Sequence, residues 1–245
     1  MKTLKNRPTR SGLATLSVAL MLALSACGGG QATAESSKTA TNTPVASTSA
    51  SASAASTPTT AKVSASASVA AEPKGSEIIE IRTADDTNAD DAIAKAAAIE
   101  AAKRVVAQDN RLLNAWMHGD FEHTSDEELS KYVYPDTMTQ VKEDIQSARN
   151  DLKNNGGPFT GNVTMRNVEV SDILTHKYQD GSSHPYSALR VKYCMDWTQV
   201  HTPDGERAVT GPDSTATVEV SVMRLQDGRY TYAGMRQLNS GCASS

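Results

Sequence analysis

Leu189-Arg190-Val191-Lys192-Tyr193-Cys194-Met195-Asp196-Trp197 alternates apolar and polar side chains along most of its length. A strand places successive side chains on opposite faces. Leu189, Val191, Tyr193, Met195 and Trp197 therefore share one face, and Arg190, Lys192 and Asp196 the other. A helical repeat of 3.6 residues does not segregate side chains in this way, so the stretch predicts a half-buried strand. Downstream, Ala216, Val218, Val220 and Val222 repeat the pattern. Asp180-Gly181, Asp204-Gly205 and Asp227-Gly228 fall between the apolar runs and supply the turn chemistry of hairpins. The expectation is a four-stranded antiparallel meander over 162–175, 187–200, 215–225 and 229–238.

Upstream of Pro158 the period is helical. The segment 88–118 is rich in Ala, Lys, Glu and Arg, and Asp90 and Asp91 suit the first turn of a helix. Its apolar stripe runs through Ile99, Ala102, Val106, Leu113 and Met117, with Trp116 beside it and Gly119 at the position that ends a helix. Ser125 and Glu128 form a capping box ahead of a short helix carrying Leu129, Tyr132 and Val133 and stopped by Pro135. Thr137 and Gln140 repeat the device before Met138, Val141, Ile145, Ala148 and Leu152, a run that Gly156-Gly157-Pro158 terminates. Helices followed by a meander predict an α+β domain over 88–245: three N-terminal helices and a four-stranded sheet, with one core. Residues 76–87 are transitional, and Ile78, Ile79 and Ile81 could add an edge strand.

Ahead of that domain the composition changes. From Gly28 to Gly75 the chain is mostly Ala, Ser and Thr, without Leu, Ile or an aromatic residue. Such a stretch has little to offset roughly 1–2 kcal/mol of backbone entropy per residue and is expected to be a disordered tether. A coil of this length reaches about 40 Å. Thr43-Pro44 and Thr57-Pro58 are of the kind that carries O-linked sugars. Further upstream, Lys2, Lys5, Arg7 and Arg10 precede an apolar run over 13–24, too short to remain as a spanning helix, so residues 1–26 read as an export signal.

Leu24-Ser25-Ala26-Cys27 resembles the lipobox of bacterial lipoproteins. The resemblance implies cleavage before Cys27 and lipidation of its thiol. Residues 27–87 then form a lipidated tether, which anchors the domain at the extracytoplasmic face of the cell membrane. More than one acyl chain makes such an anchor durable. Loss of residues 1–26 removes four basic residues and no acid, taking the formal charge from −4 to −8. That balance argues against nucleic acid as a partner.

The order of elements over 90–242, the helix end Leu112-Leu113-Asn114-Ala115-Trp116-Met117-His118-Gly119-Asp120 and the closing Asp227-Gly228-Arg229-Tyr230 resemble the NTF2-like fold, also called SnoaL or ketosteroid-isomerase-like. In this fold a curved sheet wraps a long first helix into a cone. Tyr193-Cys194-Met195-Asp196 and Cys242 look like features of actinobacterial lipoproteins with that fold. Two cysteines remain once Cys27 is lipidated, and outside the membrane Cys194 and Cys242 are expected to pair; a reactive thiol or metal ligand is the competing reading.

Enzymes of the resembled superfamily hold a general base and hydrogen-bond donors inside the cone. Tyr193 and Asp196 lie on opposite faces of one strand, with Asp196 beside Arg190 and Lys192 as a cross-strand ion-pair member, so this sequence displays no such pair. No Ser-His-Asp spacing, phosphate loop or dinucleotide fingerprint stands in the chain, and neither a catalytic residue nor a cofactor is assigned. His118, Asp120, Glu122 and His123 are the densest group of possible metal ligands, but a helix-terminal turn explains them and no metal is assigned. Trp116, Tyr193, Met195 and Trp197 either line a cavity for a small apolar ligand or fill the core. The expected role is non-catalytic: binding such a ligand, or meeting an envelope protein or a second copy through the sheet. An isomerase or hydratase is the alternative.

Overall fold

The computed structural model describes residues 73–83 and 91–242. The expected export signal, Cys27 and nearly all of the tether lie outside the described residues. The architecture is α+β. Strand β1 (Ile81–Arg82) is followed by helices α1 (Asp91–Met117), α2 (Asp126–Leu129) and α3 (Met138–Asn154), then by strands β2 (Thr164–Lys177), β3 (Ser183–Asp196), β4 (Thr215–Arg224) and β5 (Arg229–Ser240). The sheet has five strands and not four, in the order β1-β5-β4-β3-β2, all antiparallel, and it is curled.

Just ahead of the extra strand the chain is held by side chains of α1. Ile79 N–H donates to Gln108 Oε1 at 3.0 Å and Gln108 Nε2 donates to the Ile79 carbonyl at 3.2 Å, so a side chain of α1 completes what a flanking strand would supply. Arg111 donates to the carbonyls of Gly75 and Glu77, and Ser76 gives both its N–H and its hydroxyl to Asp120. Ile78 and Ile81 enter the core, which therefore begins upstream of residue 88.

Curvature in β2 comes from register shifts against β3, one of them between Arg166 and Glu169, where Asn167 adopts φ 56°. Asn tolerates that left-handed backbone, and a bulge there bends the strand. The sheet's inner face and α1 form the core. Because the sheet wraps it, α1 buries more than one stripe: Ala98, Ala101, Ala102, Val105, Val106, Leu112, Ala115, Trp116 and Met117 are all covered. From α3, Val141, Ile145 and Ala148 close the other side. Small residues on α1 let the strands approach its backbone closely.

Three local expectations are corrected. The second helix stops at Leu129 and does not continue to Pro135, because residues 132–134 leave it to join β5: Val133 bridges Tyr232, Tyr232 N–H donates to the Tyr132 carbonyl at 2.7 Å, and Tyr134 N–H donates to the Tyr232 carbonyl at 2.8 Å. Ser125 does cap α2, accepting from Glu128 N–H, whereas Thr137 makes no side-chain cap, since a 3-10 turn over Pro135–Thr137 feeds α3 directly. Strand β3 ends at Asp196, whose carboxylate accepts from Thr198 N–H (2.9 Å) and Thr198 Oγ1 (2.7 Å) and turns the chain. Asp204-Gly205 then belongs to a small loop in which Thr202 N–H donates to the Glu206 carbonyl, not to a tight turn between long strands.

The outer face of the sheet is charged. Asp172 on β2, Arg190 on β3, Glu219 on β4 and Arg236 on β5 form a ladder across four strands, with contacts of 3.5, 3.9 and 2.7 Å in that order. Asp196 pairs with Arg166 of β2 at 2.8 Å. Cys194 and Cys242 are joined in a disulfide, with their Cα atoms 5.6 Å apart.

Candidate functional site

Asp109 lies on α1 between Val106 and Leu113, on the face that meets the rest of the domain. The pairing of residues 132–134 with β5 delivers Tyr132 to it, and the Tyr132 hydroxyl donates to Asp109 Oδ1. The same pairing stacks Tyr132 on Tyr232, with ring centroids 5.6 Å apart and planes 25° from parallel. Leu113, Trp116, Val141, Asp144 and Met235 complete the walls of a pocket of about 70 Å³ between α1, α3 and β5. That volume holds a head group or a few waters; pockets that enclose whole ligands measure about 300–1,000 Å³.

The electrostatics are set by burial. Desolvation pushes the Asp109 carboxyl up to about 6; the Tyr132 hydrogen bond opposes that rise and the charge of Asp144 adds to it. Asp144 is also raised, by burial first, with Gln140 Nε2 donating to it at 3.0 Å in partial compensation. Burial, with Asp109 close by, holds the phenols of Tyr132, Tyr193 and Tyr232 well above their ordinary range. A carboxyl that exchanges its proton near neutral pH beside a phenol that keeps its own can accept a proton, donate one, or hold a ligand's polar end.

The four expected cavity-lining residues are not brought together. Trp116 lines the Asp109 pocket, and its indole N–H, itself closed off, has no hydrogen-bond partner among the described residues. Trp197 lines a separate, smaller pocket of about 30 Å³ with Met117, Leu152 and Phe159. Tyr193 and Met195 are buried within the core, and the Tyr193 hydroxyl donates to Met235 Sδ at 3.8 Å. A wide, open hollow of about 570 Å³ lies at the hairpin ends, bordered by Tyr134, His176, Tyr178, Asp180, Gln226 and Asp227.

The cluster after α1 has structural duties. His118 Nε2 meets the Gly161 carbonyl at 2.7 Å, Asp120 holds Ser76, and His123 Nδ1 pairs with Glu128 Oε1 at 2.5 Å. That pairing raises the His123 imidazole above its usual value, and the Ser76 hydroxyl holds Asp120 below its own. Among the described residues no group of three His, Cys, Asp or Glu side chains is placed to hold a metal ion. No helix among them is long and apolar enough to cross a membrane.

Sequence reading missed Asp109, Tyr132, Asp144 and Tyr232 as a group. The signal lay in the stripe of α1, which steps by three or four residues everywhere except from Val106 to Leu113. Asp109 occupies the skipped step. A polar residue at a position that the period assigns to the interior is a candidate site residue. No protein-family model matches the sequence, and no curated protein matches it.

Proposed function

We propose that this chain is a lipoprotein anchored through Cys27 at the extracytoplasmic face of the membrane, whose tethered domain of NTF2-like architecture binds a small ligand in the Asp109–Tyr132 pocket. The observation that carries the binding role is a half-buried carboxyl and a buried phenol, hydrogen-bonded to each other, in a pocket walled by three aromatic rings. Concave sites with a few convergent polar groups and a displaced carboxyl pKa are where ligands bind. A curled sheet packed around a long first helix supports the architecture. The charged ladder on the outer sheet face is poor material for an apolar dimer surface and favours the ligand reading over association through the sheet.

One observation supports a second reading, proton-transfer catalysis of isomerase or hydratase type: the Asp109 carboxyl sits at about 6 beside a hydrogen-bond donor, which suits a general base. Native mass spectrometry on protein solubilised from host membranes tests the first reading. The wild type is expected to carry acyl chains on Cys27 and a small noncovalent adduct, and Val141→Trp, which fills the pocket, to lose the adduct and keep the acyl chains. A wild-type protein with neither would overturn the proposal.

A further inference from the structure

The open hollow of about 570 Å³ at the hairpin ends shares no lining residue with the Asp109 pocket. Two turns build it. Asp180-Gly181 between β2 and β3 and Asp227-Gly228 between β4 and β5 lie at one end of the sheet, and side chains tie them together: Gln226 Nε2 donates to Asp180 Oδ2 at 2.9 Å, and the Tyr178 hydroxyl to the Arg224 carbonyl at 2.9 Å. Each turn is also closed on itself, with Tyr178 N–H donating to the Ser182 carbonyl at 2.8 Å and Leu225 N–H to the Arg229 carbonyl at 2.7 Å. Tyr134 joins them from the segment that pairs with β5. The walls are thus set before anything binds, which lowers the ordering cost of binding.

The rings in this wall have no duty in the core. All seven tyrosines are described, and Tyr134 and Tyr178 are the two that belong neither to the core nor to the side chains packed against it. Both are half-buried, and His176 braces the Tyr178 ring edge-on, with centroids 5.2 Å apart and planes at 85°. Around them the wall is polar. The Tyr134 hydroxyl, the His176 imidazole and the Gln179 amide make no hydrogen bond among the described residues, and Gln226 keeps its side-chain oxygen after its amide has gone to Asp180.

The charges of the wall exclude the simpler ligands. No Lys or Arg lines the hollow, so an anion finds no counter-charge there. Its two carboxylates are already engaged, Asp180 by Ser182 and Gln226 and Asp227 by Arg229, so neither calls for a cation. A sugar ring answers to what is left. It has an apolar C–H face, which aromatic rings cover, and a rim of hydroxyls that both donate and accept, which amides, imidazole and phenol hydroxyls match. The volume lies within the range of about 300–1,000 Å³ that small-ligand sites occupy. An open hollow also admits a sugar that is one unit of a longer chain.

We infer that the hollow at the hairpin ends binds an uncharged saccharide, its ring stacked against Tyr134 and Tyr178 and its hydroxyls held by His176, Gln179 and Gln226. This site is independent of the Asp109 pocket and of the ligand reading given for it.

The test has two arms, both on the full chain. In one, the protein is titrated by calorimetry with cellobiose, maltose and N,N′-diacetylchitobiose; in the other, it is sedimented with deproteinised envelope polysaccharide from the host. Saturable binding is expected in at least one arm. Tyr134→Ala and Tyr178→Ala should each weaken it about tenfold, and Gln179→Ala about threefold. Tyr178→Phe keeps the ring and loses only the hydroxyl, so it should bind within about threefold of wild type. Gln179 is exposed, so Gln179→Ala still reports where a tyrosine variant fails to fold. Binding of a disaccharide assigns a free sugar and binding of the polysaccharide alone a longer glycan; either upholds the saccharide class. Binding in neither arm would overturn the proposal. Binding that Tyr134→Ala, Tyr178→Ala and Gln179→Ala all leave unchanged would overturn it equally, by placing the sugar elsewhere.

Discussion

The Tyr132 hydroxyl donates to the Asp109 carboxylate across 23 residues of sequence, and it joins the middle of the long helix to the segment that leaves α2 for β5. Tyr132→Phe removes the donor and leaves a desolvated carboxyl alone with Asp144. The net cost of such an orphaned acceptor is about 1–3 kcal/mol, against well under 1 kcal/mol for an exposed hydroxyl. Denaturant unfolding should therefore show a lower midpoint with an unchanged slope, and carboxyl titration should place Asp109 higher than in the wild type. A midpoint equal to wild type would mean that the hydrogen bond has no net worth.

Stability should depend on pH through Asp109. Its folded pKa, about 6, lies above its ordinary 3.8. Between those values the native chain holds a proton that the unfolded chain has lost, so stability is greatest at and below the lower value and falls as pH rises through the window, by at most about 1.4 kcal/mol per pH unit. The groups that face Asp109 are Tyr132, Asp144, Tyr193 and Tyr232, and none of them supplies a compensating cation. Asp109→Asn should flatten the thermal midpoint between pH 4 and pH 6 relative to wild type. A variant whose midpoint follows pH as the wild type does through that interval would refute the assignment.

What the sequence made legible here followed from strict periods. The alternation from Leu189 to Trp197 places Val191 and Tyr193 inside and Arg190 and Lys192 outside, as the structure has them. The heptad-like run from Met138 to Leu152 lies within α3. What was not legible is the consequence of pairing at a distance. No local signal says that residues 132–134 abandon a helical pattern for β5, or that Gln108 mimics a strand for Ile79, because both depend on partners far along the chain. The candidate site is made from those two kinds of event together, a polar residue inside a periodic stripe and a segment captured by the sheet. Residue spacing showed the first only as a gap.

Glu219 is the buried member of the outer-face ladder: its side chain is 7% exposed, whereas those of its partners Arg190 and Arg236 are 43% and 57% exposed. It also lies directly opposite both Lys192 and Arg236 in the strand register. Removing one member of a fully buried pair strands a charge and costs several kcal/mol, but here water recovers both arginines. Glu219→Gln should therefore cost about 1 kcal/mol, and Asp172→Asn, at the exposed end, less than half of that. Added salt should narrow the gap between Glu219→Gln and wild type. A loss of several kcal/mol in Glu219→Gln would show that the arginines are held out of water more firmly than their exposure indicates.

Cys242 reaches Cys194 by crossing β4. Gly241 N–H donates to the Thr215 carbonyl at 2.7 Å, Thr217 Oγ1 donates to the Gly241 carbonyl at 3.2 Å, and the disulfide then ties the tail to β3, where Cys194 stands opposite Thr217. The bond closes a loop with a sequence separation of 48. In the loop-entropy account, closing such a loop restricts the unfolded chain and stabilises the fold by about 4 kcal/mol. The other holds on the tail are at the surface: Ser240 and Asn239 are exposed, and the Ser240 hydroxyl donates to Asp213 Oδ1 at 2.6 Å. Two outcomes separate the global effect from the local one. Cys242→Ser, and equally the reduced wild type, should unfold at a lower denaturant concentration by an amount approaching that figure, while hydrogen exchange should show the Gly241 amide opening long before those of Val218 and Val220. Addition of reductant should shift the wild-type midpoint and leave that of Cys242→Ser where it is. If reduction frees the tail in exchange measurements but leaves the midpoint unmoved, the bond only fastens the end of the chain, and β3 and β4 are stable without it.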